Sequence, residues 1–119
     1  MTSLLAKSVL QTLKEAFPNT RINSEYYVNY NGQKLFFDFH LPNLNIVVEV
    51  QGIQHTEFNP HFHSNADAFK AQKKRDRTKA EWCDIEDMAL VCVHHNEIPI
   101  DVPDLLRKIE EAQQHGSEN

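Results

Sequence analysis

A chain of 119 residues, 40% hydrophobic and 24% charged, has room for one core and one domain spanning residues 1–119, and lacks the apolar poverty that marks disorder. The net charge of −5 argues against indiscriminate nucleic-acid binding. The opening residues, interrupted by Lys7, hold no apolar run long enough for a signal peptide or a membrane span, so a soluble cytoplasmic protein with no membrane partner is expected.

The first element is an amphipathic helix over residues 3–17. Leu5, Val9, Leu10, Leu13 and Phe17 recur at helical spacing, Thr2 or Ser3 can cap the start, and Pro18-Asn19 stops the run. "EYYVNY" and "QKLFFDFH" then flank Asn31-Gly32, a pair suited to the positive φ angles of a tight hairpin turn, which predicts two antiparallel strands.

A second hairpin is expected in "DFHLPNLNIVVEV", with Pro-Asn-Leu-Asn between two apolar runs. If the turn is centred between Asn43 and Leu44, paired residue numbers sum to 87 and Asp38 faces Glu49. Alternation then gathers Phe36, Asp38, His40, Val47, Glu49 and Gln51 on one face. Leu35, Phe37, Phe39, Ile46, Val48 and Val50 fall on the other.

After a loop, a helix is predicted from about Ser64 through Trp82, directing Ala66, Phe69, Lys73, Asp76, Ala80 and Cys83 at the sheet. Lys70, Lys74 and Arg77 lie on its shoulder. "MALVCV" reads as a fourth strand and "VPDLLRKIEEAQQ" as a closing helix begun by Pro103, with residues 113–119 expected to fray. The fold class is therefore α/β in the order αβββαβα, a central mixed sheet flanked by helices.

Two carboxylates on side chains about 5 Å apart across a strand pair repel, by roughly 4 kcal/mol at about 4 Å under an effective dielectric of 20. A divalent cation offsets that repulsion, and hard oxygens from Asp38, Glu49 and an adjacent backbone carbonyl suit Mg²⁺. The plainer alternative pairs Asp38 with Lys34 or a turn, and Glu49 with Lys73 beneath the helix.

"KAQKKRDRTK", residues 70–79, holds six basic residues and one acid in a chain that is acidic as a whole. Lys70, Lys73, Lys74, Arg75, Arg77 and Lys79 are candidate phosphate contacts, against the reading of a solvated helix face. Asp76 either orients a histidine or pairs with Lys73. His61 and His63 have no second close pair for zinc, and Cys83 and Cys92 form no CxxC pair and read as reduced packing residues.

"FFDFHLPNLNIVVEVQGIQH" followed by "AFKAQKKRDRTKAEWC" resembles the very-short-patch-repair-like branch of the PD-(D/E)XK nuclease superfamily, which includes small phage-encoded nicking and homing-type endonucleases. The resemblance covers about half the chain. It implies a restriction-endonuclease-like core, a host-cell location if phage-encoded, and Mg²⁺-dependent cleavage of DNA, with Mn²⁺ as a substitute. By the same likeness Asp38, Glu49 and the carbonyl of Val50 hold the metal, while Gln51, His55, Asp76 and Glu25 complete the catalytic set.

Two departures stand out: Gln51 occupies the usual lysine position, and the first helix offers only a late Glu15, so Glu25 is left to supply an additional acid. The remaining alternatives are a branched-DNA or recombination-junction nuclease and a non-catalytic nucleic-acid-binding module of the same fold. With no specificity module in sight, a homodimer or a protein partner is a further expectation beside DNA.

Overall fold

A computed structural model of the chain describes residues 3–52 and 66–117. Helix α1 (Leu4–Ala16) is followed by strands β1 (Asn23–Tyr30), β2 (Gln33–Leu41) and β3 (Ile46–Gln51), helix α2 (Ala66–Ile85), strand β4 (Ala89–His94) and helix α3 (Val102–Ser117). The predicted order αβββαβα is the observed one. The α3 helix continues to Ser117, past Gln113, where fraying was expected.

Ser3 caps α1 by accepting from the Ala6 amide at 3.1 Å, a bond worth about 1 kcal/mol to a helix start. The α1 face that reaches the core is Ala6, Val9 and Leu13, joined by Thr12, whose hydroxyl donates to the Ile100 carbonyl at 2.8 Å. That buried bond ties α1 to the segment entering α3.

The sheet has the order β1-β2-β3-β4, with β1, β2 and β3 antiparallel in sequence and β3 parallel to β4. Asn31 and Gly32 turn the first hairpin with φ of 51° and 80°, the positive values that the Asn-Gly pair predicts. In the second hairpin Phe39 pairs with Val48, His40 with Val47 and Leu41 with Ile46, which is the expected register.

Two apolar clusters form rather than one apolar face. Phe39, Leu41, Ile46, Val48, Val91 and Val93 pack with α1 and with Leu105 and Ile109 of α3. Leu35 and Phe37 instead join Val47, Trp82 and Cys83 on the α2 side. The expectation that Leu35, Phe37 and Phe39 share one face is therefore corrected: the ribbon changes the face it presents between Phe37 and Phe39.

The backbone shows why. Glu25 takes φ of 56°, in the left-handed region, and the register that pairs Ser24 with Phe39 and Tyr26 with Phe37 sets Glu25 across from Asp38. Beyond that step β3 no longer pairs with β2, so the β1–β2 ribbon is released from the sheet's alternation and folds its apolar residues over α2. A non-glycine residue at such an angle costs about 1–2 kcal/mol, and this one stands beside the acids.

The rotation of α2 also differs from expectation. Ala66 and Ala80 are exposed, while Gln72, Lys73, Asp76 and Lys79 are half-buried and Trp82 and Cys83 buried. Ala66 is thus removed from the predicted sheet-facing arc and Lys79 is added, while Ala80, although exposed, lines a cavity with Glu49, Leu90 and Cys92 of the sheet. A spacing of 3.6 residues allows either position 79 or 80 after Asp76, and the long stem of Lys79 reaches inward to a charge that alanine has no use for.

Candidate active site

At the end of the β2–β3 ladder the backbones separate and two side chains bridge the opening. The Asp38 carboxylate accepts from the Val50 amide at 2.7 Å, and the Glu49 carboxylate accepts from the Asp38 amide at 3.1 Å. Each acid does the work of a carbonyl missing from the ladder, so satisfying the backbone also fixes both side chains. Asp38 and Glu49 line one cavity of about 390 Å³, with Glu25, Phe36, Phe37, Val50 and Lys79.

Glu49 is 6% exposed, and its second oxygen accepts from the Lys79 ammonium at 2.9 Å. The ammonium also lies 5.5 Å from the centre of the Phe37 ring. Contact with a cation by itself holds a carboxylate low, but burial outweighs it: the Glu49 carboxyl is pushed up to about 7, helped by the neighbouring Asp38. A carboxylate titrating near neutrality inside a cavity has the character of a functional group.

The expected alternative partner for Glu49, Lys73, is not the one found. Lys79, a candidate phosphate contact in the sequence, is turned inward and pairs with Glu49. Nothing in the helical periodicity singled it out, since its distance from Glu49 depends on how α2 crosses the sheet.

A second cavity of about 360 Å³ lies on the other side of the Glu49–Lys79 pair, which lines both. Gln51, Lys73, Asp76, Arg77 and His94 face it. Gln51 stands opposite His94 in the parallel β3–β4 register, and the His94 Nδ1 atom is buried with no hydrogen-bond partner among the described residues. The structure thus gathers Asp38, Glu49, Val50 and Glu25 in the first cavity, and Gln51 and Asp76 in the second, next to the first.

Lys70, Lys74, Arg75 and Arg77 are exposed along α2, and Lys73 is half-buried with its ammonium 5.6 Å from the Phe69 ring centre. His55, His61 and His63 lie outside the described residues. Cys83 and Cys92 are free thiols pushed up by burial to about 12 and about 11, protonated packing groups rather than nucleophiles.

Among the described residues no group of three or more histidine, cysteine, aspartate or glutamate side chains is arranged to hold a metal. Mg²⁺ takes only one or two carboxylates from a protein, however, and Asp38 and Glu49 supply that number of hard oxygen donors at one cavity. The donor chemistry fits.

No family model matches the chain, and no solved structure matches it. It is similar to the uncharacterized protein 307L of Invertebrate iridescent virus 6, with 38% identity over 77 residues, which cover 65% of this chain and 35% of that protein. The chain thus matches about a third of that relative's length. None of the helices described is long and apolar enough to cross a membrane.

Proposed function

We propose that the chain is a divalent-metal-dependent DNA endonuclease with a restriction-endonuclease-like core, hydrolysing phosphodiester bonds at the Asp38–Glu49 cavity. The observation that carries this reading is the pairing of two acids at the splayed end of β2 and β3, where each also braces the neighbouring strand's backbone. The geometry holds two like charges together at the wall of one cavity, where a cation would offset their repulsion.

Asp38, Glu49 and the Val50 carbonyl would hold Mg²⁺ or Mn²⁺, which when bound supplies Lewis acidity at the phosphoryl group and a nucleophile of lowered pKa. The chain's own groups do the rest. Lys79 places a cationic amine at the Glu49 carboxylate, the charge that Gln51 cannot provide from its strand position, and there it stabilises negative charge developing on phosphate. Lys70, Lys74, Arg75 and Arg77 present exposed cations along α2 to the DNA backbone. Gln51 is placed to orient water with its amide, and Asp76 stands across the second cavity from it.

One observation favours a second reading, a nucleic-acid-binding module without turnover: both Glu49 oxygens already have protein donors, the Asp38 amide and Lys79. The deciding assay incubates duplex, nicked, flapped and four-way-junction DNA with Mg²⁺ or Mn²⁺, with and without chelator. Cleavage that needs metal and is lost in both Asp38→Ala and Glu49→Ala supports the enzyme. A preference for the four-way substrate would make it a junction nuclease, and binding without cleavage under every metal would leave the non-catalytic module.

A further inference from the structure

Among the described residues five large apolar side chains are exposed, Leu4, Tyr27, Phe36, Ile85 and Leu106. Only Tyr27 and Phe36 meet each other as rings. They face one another across β1 and β2, with ring centres 5.2 Å apart, and are 46% and 55% exposed. Burial of either ring is favourable by a few kcal/mol, so a flat apolar ligand laid on this pair would be held by the hydrophobic effect.

Phe36 also lines the cavity that holds Asp38, Glu49 and Lys79. An apolar ring face and the groups that would engage a phosphate therefore share one wall. A nucleotide presents this same combination, a flat base attached to a phosphate. We infer that Tyr27 and Phe36 form a stacking platform for an unpaired nucleobase next to the phosphate held at the acid cavity, so that the substrate class is DNA with unstacked bases, as in flaps, gaps and junctions.

An intact duplex keeps its base faces covered by their neighbours and cannot offer one to the platform. A protein partner or a second copy of the chain fits less well, because stable protein interfaces engage about 20–30 residues a side and this patch is two side chains wide. The inference rests on the reading of the cavity as a nucleic-acid site, and its test needs no cleavage.

The test compares binding of a labelled oligothymidylate with that of an abasic oligonucleotide of equal length and charge, by fluorescence anisotropy in chelator. Stacking strengthens binding by roughly five- to 150-fold per base, so the wild-type chain is expected to prefer the base-bearing strand at least about fivefold. Tyr27→Ala/Phe36→Ala should bind both strands alike, and Phe36→Leu, which keeps apolar volume without an aromatic face, should lose most of the preference. Thermal melts matching wild type establish that the variants are folded, as expected for exposed side chains.

No preference in the wild type, or a preference kept by the double variant, overturns the platform. So does a dimer that Phe36→Ala converts to monomer with base preference intact, which makes the pair a contact between copies. A base preference in a protein that cuts no DNA under any metal retains the platform and removes the endonuclease; metal-dependent cleavage without base preference does the reverse.

Discussion

The Lys79 ammonium meets the Glu49 carboxylate at 2.9 Å across the gap between α2 and β3, and this contact divides the acid cavity from its basic neighbour. Among the described residues Lys79 is the cation paired with a glutamate that burial drives toward neutrality. Removing it leaves a buried acid with less reason to ionise.

Lys79→Met is accordingly expected to raise the Glu49 pKa above about 7. A metal ligand must be ionised to bind well, so the rising limb of metal-dependent cleavage should move toward alkaline pH by about one unit. Rate against pH for the two proteins checks this, and an unmoved limb would separate Lys79 from the chemistry.

The same acid makes stability depend on pH. Its carboxyl is raised from an ordinary 4.5 to about 7, so the folded chain holds the proton more tightly than the unfolded chain does. That contribution to stability is fully present below about pH 4.5 and is lost as pH rises through about 7, amounting to at most about 3 kcal/mol. Urea unfolding in metal-free buffer at about pH 5 and about pH 8 should show wild type losing more stability than Glu49→Gln, which cannot ionise.

Cation binding to Asp38 and Glu49 should stabilise the fold. Mg²⁺ at about a hundred times its Kd would contribute about 2.7 kcal/mol, a rise of several degrees in Tm for a domain of this size. Asp38→Asn and Glu49→Gln should lose that rise, and chelator should reverse it in wild type. A rise equal in all three proteins would place the ion elsewhere.

Gly32 tests the turn apart from the site. Its φ is 80°, and a Cβ built there meets nothing within 4 Å, so the cost of Gly32→Ala is backbone strain alone. About 1 kcal/mol of destabilisation is expected in chemical unfolding, with metal-dependent cleavage unchanged.

Much of the fold is legible in local pattern. The positions of Val9 and Leu13 mark α1, Asn31-Gly32 marks a turn, and the Pro42-to-Asn45 segment places Asp38 in register with Glu49. The candidate site was legible to the extent that it depends on that register. The pairing of Lys79 with Glu49 was not expected and Phe37 was expected beside Phe39, because each depends on groups distant in the chain.

What the amino-acid order determined by itself is the succession of elements, the hairpin register and the placing of two acids on facing strands. These follow from repeats of 2 and 3.6 residues and from turn residues whose allowed backbone angles are a short-range property. Only the tertiary structure decided that the ladder opens at Asp38 and Glu49, that Glu25 takes a left-handed angle beside them, and that Lys79 rather than Lys73 meets the buried charge. Those outcomes turn on how α2 and the β1–β2 ribbon pack over the sheet. Burial of Trp82 and Phe37 sets that packing, and the charges then pair with whatever it brings within reach.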